Sequence, residues 1–149
     1  LAFKKYLSNL LKTSFGFKGE EWSFKNLYAL GTRVNKDYIR VEADEVTYPL
    51  HIILRFNLEK MLINENLKTK DIPEVWNEQY KKLFNKTVDK NSNGCLQDIH
   101  WYGGLIGYFP TYSLGAISAA QFAHSMKSEI PNFNEAITIF ILTAWQTSF

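Results

Sequence analysis

A histidine, an aspartate and two tyrosines lie close together in the aromatic segment that follows Asn93. His100 comes two residues after Asp98, and Tyr108 and Tyr112 follow in a stretch interrupted by glycines. An imidazole and two phenols can donate hydrogen bonds to an oxyanion, and a neighbouring carboxylate can fix the tautomer of the imidazole. If this stretch is helical, the two phenols share one face. Taken by itself, however, a loop of glycines and aromatic residues more often serves only to pack the core. A single histidine is likewise more often a core residue whose nitrogens are hydrogen-bonded.

A second group of polar residues lies in the segment from 39 to 61, which is otherwise largely apolar. On a helix, with about 100° per residue, these polar side chains fall within one narrow arc, opposite most of the apolar ones. Burying two arginines, an aspartate and a histidine together is costly unless they satisfy one another. The members of this arc are Arg40, Asp44, Tyr48, His51 and Arg55.

This polar arc has two interpretations. A solvated helix face is the more general one, but an arc without lysine or glutamate, among apolar neighbours, favours a lined cavity. Asp44, four residues after Arg40, is within reach for an ion pair, so Arg55 and His51 need partners from elsewhere,. An arginine without a partner on a cavity wall is a natural receptor for a carboxylate, because its planar fork matches two oxygens.

The spacing of apolar residues predicts an all-α chain with at most a short β-hairpin. Pro49 predicts a kink or break in the long helix, because it removes a donor and crowds the carbonyl of Glu45,. A turn is expected at Asn91–Gly94. The predicted helical segments are 1–12, 20–28, 39–61, 74–84 and 114–126,.

Composition excludes several classes of protein. The 149 residues, 46% of them hydrophobic, can build one domain with a sizeable core,. The net charge of +2 gives no reason to expect nucleic acid or a membrane surface as a partner,. No stretch approaches the roughly 18 apolar residues that span a bilayer. The single cysteine, Cys95, excludes an internal disulfide and suits a reducing cytoplasm,.

Two segments resemble signature motifs of the M32 carboxypeptidases. Residues Ile39–Asp44 resemble the family motif IRxxAD, and residues 45–55 extend the likeness. Residues Gly94–Trp101 resemble the motif GxxQDxHW, and Gly107–Tyr112 continues it. Both motifs stand in the order of the family. The chain is expected to be a single partial domain over residues 1–149. Its tail at 132–149 does not resemble the family and is expected to be divergent.

The resemblance implies roles for the residues of both motifs. It implies that His100, Tyr108 and Tyr112 act as catalytic groups, binding the substrate backbone and stabilising the tetrahedral oxyanion. It further implies that Tyr48, His51 and Arg55 line the substrate site, that Arg40 and Asp44 hold the two motifs together, and that Gln97 and Asp98 support His100.

In the M32 family, zinc is held by two histidines of an HExxH helix and by a later glutamate. This sequence contains no HExxH, and the family pattern places that motif just upstream of Leu1. We therefore expect zinc, or another divalent metal, in the full-length enzyme but no metal ligand from this chain, which by itself should not hydrolyse peptides. A separate metal site at His51, Asp98, His100 and His124 is not expected, since their spacing matches no compact ligand pattern.

The resemblance implies the helical half of a gluzincin-like peptidase cleft in a cytoplasmic enzyme. Its expected partners are peptide substrates with a free C-terminus, a separately encoded N-terminal half and a second copy in a homodimer. Two alternatives stay open. The chain could be an inactive truncated remnant that binds peptides or a partner, or a helical interaction protein in which the two motifs are coincidental.

Overall fold

The computed structural model describes residues 2–64 and 67–146. These residues form six α-helices joined by short 3₁₀ turns and loops, and no strand occurs among them, so the predicted all-α class is confirmed. The helices are α1 (Ala2–Ser14), α2 (Phe24–Gly31), α3 (Tyr48–Asn64), α4 (Ile72–Phe84), α5 (Pro110–Glu129) and α6 (Phe133–Gln146). Of the predicted divergent tail, residues 147–149 lie outside the described part.

The chain divides into two compact units. One consists of Leu1–Arg33 together with Ala119–Phe149, as far as these residues are described, and the other of Val34–Ser118. In the first unit α1 contacts both α2 and α6, and the hydroxyl of Ser8 donates a hydrogen bond of 2.8 Å to the carbonyl of Trp22. In the part of the chain that the structure describes, no helix is long and apolar enough to cross a membrane.

The second unit is built on the packing of α3 against α4. Its core combines aliphatic side chains of α3 with aromatic side chains of α4, and the ring centroids of Tyr80 and Phe84 are stacked 4.4 Å apart. Large rings that are removed from water contribute much of the stabilisation of such a small unit. The buried cluster consists of Leu54, Leu58, Trp76, Tyr80, Phe84, Val88 and Cys95.

The long predicted helix over 39–61 is wrong in its first part. Residues Arg40–Glu42 form a separate 3₁₀ turn, and α3 begins only at Tyr48. Pro49 lies in the first turn of α3, where its missing N–H costs nothing, because the first amides of a helix have no intrahelical acceptor. The break expected at this proline is therefore a helix start. The predicted polar arc keeps only Tyr48, His51 and Arg55 on one helix.

The other predicted elements lie close to the observed ones. The helix expected over 74–84 is α4, whose first turn carries Pro73 and whose last turn is followed by Asn85 in the left-handed region, at φ 55°. The turn predicted at Asn91–Gly94 contains the 3₁₀ turn Asn91–Asn93. The helix expected over 114–126 is α5, which is longer at both ends.

Candidate functional site

Asp98 bridges two buried arginines. Its Oδ1 lies 2.8 Å from both Nε and Nη2 of Arg40, and its Oδ2 lies 2.6 Å from Nε and 2.5 Å from Nη2 of Arg55. All three side chains are at most 7% exposed. Charge-assisted bonds of this fork geometry are among the strongest in proteins, so a single carboxylate fixes two guanidinium groups.

A second contact joins the same two stretches of chain. The backbone N–H of Arg40 donates to Oε1 of Gln97 at 2.8 Å, and the side-chain amide of Gln97 donates to the carbonyls of Tyr38 and Asn93, both at 3.0 Å. The side-chain amide of Gln97 thus holds the backbone around residues 38–40, and its expected support of His100 stays a prediction. The expectation that Arg40 holds the two motifs together agrees with these contacts.

Asp44 does not pair with Arg40, contrary to the expected pair. Its carboxylate accepts hydrogen bonds from the backbone amides of Asn35, Val46 and Thr47 and from the hydroxyl of Thr47, at 2.8 to 3.0 Å. These donors, the Asn35 amide first, hold the pKa of the carboxyl well below its usual range. Asp44 therefore organises the turn that leads into α3, because a carboxylate ahead of a helix satisfies amides that lack an intrahelical acceptor.

Arg55 lies in the interior of the second unit. Its side chain is completely buried, its Nη1 donates to the carbonyl of His51 at 2.9 Å, and its guanidinium lies 4.7 Å from the ring centroid of Trp76. Burial lowers its pKa to about 10, an effect that Asp98 opposes, so the group stays charged at neutral pH. The predicted need for a partner from elsewhere in the sequence is met by Asp98.

His51 is also completely buried, one turn before Arg55. Its ring lies 4.6 Å from that of Phe84 and 6.2 Å from that of Tyr80, measured between centroids. Burial, and then the positive charge of Arg55, lower its pKa to about 4. His51 and Arg55, which were expected to line the substrate site, are both closed off from solvent in this structure and pack in the interior of the second unit.

Arg40 lies between Asp98 and a group of aromatic rings. Its Nη1 donates to the hydroxyl of Tyr48 at 2.9 Å, and its guanidinium carbon is 5.3 to 5.8 Å from the ring centroids of Tyr48, Phe109 and Tyr112. Burial works against its charge, but the bonds to Asp98 and Tyr48 outweigh it and raise its pKa above the usual value. Arg40 thus orients the Tyr48 hydroxyl.

His100 and Tyr112 form a hydrogen-bonded pair. Nε2 of the imidazole lies 2.9 Å from the phenol oxygen, and Nδ1, which is buried, lies 4.0 Å from Oδ1 of Asp98. Burial, followed by the charge of Arg40, lowers the pKa of His100, so its ring is mainly neutral at pH 7. In one tautomer of the neutral imidazole, Nε2 accepts a hydrogen bond from the phenol. In the other tautomer Nε2–H donates to the phenol oxygen, and the phenol O–H can point outward to another acceptor.

Tyr108 lies next to His100 and Tyr112, on the solvent-exposed side of these rings. Its ring centroid is 5.7 Å from that of His100 and 5.5 Å from that of Tyr112, and 42% of its surface is exposed. Gly104 and Gly107, at φ +72° and +79°, let the loop fold back so that α5 begins at residue 110,. Tyr108 precedes α5 rather than sharing a helix face with Tyr112, yet the two rings meet.

Sequence reasoning missed a contact beside His100. The indole N–H of Trp101 donates to Oε1 of Glu59 at 3.0 Å, and the Glu59 side chain is only 3% exposed. Glu59 comes four residues after Arg55, so it lies one turn further along the same side of α3,. Its position on the helical wheel, next to the polar arc, could have indicated that Glu59 belongs to this site.

The residues of this site do not suit a metal cation. Both oxygens of Asp98 face guanidinium groups, so a cation there would meet two positive charges. Across residues 2–64 and 67–146, no three histidine, cysteine, aspartate or glutamate side chains lie together as a metal site. What the site offers is a set of hydrogen-bond donors with one open side, formed by Tyr48, His100, Tyr108 and Tyr112.

The all-α fold that carries the two motifs agrees with the expected class, and comparison with known proteins assigns the chain to the metallocarboxypeptidases. The family described as carboxypeptidase Taq (M32) metallopeptidase matches residues 1–148, and the chain belongs to this family. The match includes the tail at 132–148 that the motifs alone do not reach.

Relatives and solved structures agree with this assignment. The chain is 42% identical to thermostable carboxypeptidase 1 of Pyrococcus furiosus over 91% of its own length, and 45% identical to carboxypeptidase 1 of Bacillus subtilis over 65%. The structure of Trypanosoma cruzi metallocarboxypeptidase 1 superposes with a TM-score of 0.81 at 38% identity, covering 92% of this chain and 27% of that one. The chain spans 27% of the Pyrococcus relative and 19% of the Bacillus relative.

Proposed function

We propose that this chain supplies the substrate-side wall of a carboxypeptidase that removes C-terminal residues from peptides. The observation that carries the proposal is the pairing of His100 with Tyr112 next to the Asp98 bridge. This bridge connects the turn at Arg40, helix α3 and the loop before α5. It therefore holds a set of donors in place, as a site that stabilises charge requires.

His100, Tyr108 and Tyr112 are the proposed oxyanion-stabilising groups. Addition of water to a peptide carbonyl places negative charge on the carbonyl oxygen, and preorganised donors lower the energy of that state. The exposed Tyr108 and the partly exposed Tyr112 can reach a peptide. His100 is 8% exposed and acts mainly through its bond to Tyr112.

Tyr48 is the proposed contact for the substrate carboxylate. Because its oxygen accepts from Arg40, its own proton is available to another acceptor, and accepting from a cation makes the phenol a better donor,. His51 and Arg55, which are closed off from solvent, position this wall rather than touch the peptide.

The metal of such an enzyme, zinc or another divalent cation, would activate the attacking water. The described residues of this chain do not fit that ion. Its ligands would belong to the part of the longer relatives that this chain does not match.

A chimera tests the enzymatic role. The chain replaces the matching segment of the Pyrococcus furiosus relative, and hydrolysis of a peptide with a free C-terminus is followed. We expect activity in the chimera and a loss of roughly 10²-fold in kcat for Tyr112→Phe, the typical effect of removing one oxyanion donor. Tyr102→Phe is the matched control, because it removes the hydroxyl of a tyrosine that is 70% exposed in the loop before α5. A loss no greater in Tyr112→Phe than in Tyr102→Phe would refute the oxyanion role.

A binding experiment tests the alternative of an inactive peptide-binding remnant. The chain itself is titrated with one peptide in its free-carboxylate and amidated forms. Tighter binding of the free carboxylate, lost in Tyr48→Phe, supports recognition of a C-terminus. Equal affinity for the two peptides, or no binding, counts against the Tyr48 role. An inactive chimera with preserved selective binding would favour the remnant.

A further inference from the structure

The segment from Asp98 to Trp101 is attached to α3 at both of its ends. Asp98 binds Arg55, and Trp101 binds Glu59 through its indole N–H at 3.0 Å. The two α3 residues are four positions apart, which is about one helical turn, or roughly 6 Å along the axis. The catalytic candidate of this segment, His100, lies between the two attachment points.

Three of the four side chains of this segment, those of Asp98, His100 and Trp101, are buried or half-buried. Ile99 points outward, with 81% of its surface exposed, and contributes no anchor. The imidazole of His100 points inward, but its Nδ1 is 4.0 Å from Asp98 and has no hydrogen-bond partner. The ring is therefore oriented by Tyr112 on one side and by the backbone that carries it on the other.

Glu59 is a costly residue at its position. It is 3% exposed, and while Oε1 accepts from Trp101, Oε2 is buried without a hydrogen-bond partner. A buried carboxylate with one unsatisfied oxygen destabilises a fold, so an apolar residue would pack here at lower cost. Core packing therefore does not explain a glutamate at this position, whereas a hydrogen bond that fixes the Trp101 indole does.

We propose that Glu59 is a positioning residue for His100. With Arg55 it clamps the segment 98–101 to one side of α3, and so sets the distance from the imidazole to the Tyr112 hydroxyl. The indole of Trp101 is held between this bond and two perpendicular rings, those of Trp76 at 6.1 Å and Phe109 at 6.2 Å. The significance of this clamp for catalysis rests on the proposed role of His100, but its existence is measurable without activity.

The clamp also keeps His100 among a defined set of charges. Asp98, Arg40, Arg55 and Glu59 are the charged groups that act on its ring. Because Glu59 favours the protonated imidazole, loss of its charge moves the titration of His100 to lower pH. A residue that only filled space would not have this effect.

Nuclear magnetic resonance of the 149-residue chain tests the clamp directly. The indole N–H of Trp101 and the ring carbons of His100 are followed through a pH titration in the parent chain and in Glu59→Ala, Glu59→Gln and Trp101→Phe. Glutamine keeps a carbonyl oxygen that can accept from the indole, but lacks the charge. Glu78→Ala is the matched control, because it removes one exposed acidic group from α4.

We expect the Trp101 indole proton to be protected from exchange in the parent chain and in Glu59→Gln, and to lose that protection in Glu59→Ala. At a pH where the His100 ring is neutral, its signals should be displaced in Glu59→Ala and Trp101→Phe, with positions near the parent in Glu59→Gln. The His100 midpoint should fall in both Glu59 variants but not in Glu78→Ala.

Unchanged indole exchange and unchanged His100 signals in a folded Glu59→Ala chain would overturn the proposal. If Glu59→Ala does not fold, the other two variants decide. A displaced His100 in Trp101→Phe with a near-parent His100 in Glu59→Gln supports the clamp, and any other combination overturns it. A negative result in this titration would not change the outcome of the chimera assay. Conversely, the clamp can be measured in the chain even if the chimera is inactive.

Discussion

The Oδ2 atom of Asp98 lies 2.6 Å from Nε of Arg55, although 43 positions separate the two residues in the sequence. The other oxygen of the same carboxylate binds Arg40, 58 positions away. Nearly all of this contact is buried. The second unit therefore depends on one carboxylate, and the loss of its charge leaves two guanidinium groups without compensation.

The first prediction concerns that carboxylate. Asp98→Asn should reduce the free energy of unfolding by roughly 3 to 5 kcal/mol, as expected when one partner of a buried ion pair is removed. Urea unfolding followed by tryptophan fluorescence measures it. Glu42→Gln, an exposed change in the other motif, should stay within about 0.5 kcal/mol of the parent,. Equal effects in the two variants would contradict the bridging role.

The second prediction concerns the shape of the Arg55 side chain. Lysine keeps the charge but cannot reproduce the contacts of Nε and Nη2 with Asp98 or the planar contact with Trp76,. Arg55→Lys should therefore cost about 2 kcal/mol, the typical value for a hydrogen bond to a charged group. Urea unfolding is again the measurement. Arg33→Lys is its exposed counterpart, and a cost as small as in that variant would argue against the fork geometry.

The third prediction is a dependence of stability on pH that originates at His51. Its pKa is about 4 in the folded chain, compared with about 6.5 when unfolded, so the unfolded chain binds a proton more readily,. The contribution of neutral His51 is fully present above about pH 6.5. It is lost as the pH falls toward 4, by about 3 kcal/mol in total.

Unfolding curves at several pH values between 7 and 4 measure this loss. His51→Phe should reduce the dependence in this range, because phenylalanine does not titrate, and the smaller slope that remains includes the contribution of His100, whose pKa is also lowered. His124→Gln, in which an exposed histidine is replaced, should keep it. A slope in His51→Phe as steep as in the parent chain would assign the effect to other groups.

The fourth prediction concerns the aromatic core. Phe84 is 1% exposed and stacks on Tyr80 while contacting His51. Phe84→Ala should therefore destabilise the chain by roughly 3 to 5 kcal/mol, because it removes a large buried ring and leaves a cavity. Phe56→Ala, at a position that is 44% exposed, should cost clearly less in the same urea experiment. Similar costs would mean that Phe84 is not central to the core.

Some of the fold follows from local signals in the sequence. Pro73 and the apolar spacing after it are enough to predict α4, because both act within a few residues,. The same local reasoning failed over 39–47. Asp44 is placed equally well for an i, i+4 pair with Arg40 and for capping the turn before α3, and the choice depended on where Asp98 lies.

The sequence by itself determined the all-α class, the two motifs and the residue types of the candidate site, because these depend on composition and short-range spacing. Only the tertiary structure decided which groups pair. It assigned Asp98 to both arginines, buried His51 and Arg55, and brought Glu59 to Trp101. The physical reason is that a buried charge takes the partner that folding brings within hydrogen-bond distance, and periodicity along one helix does not specify that partner.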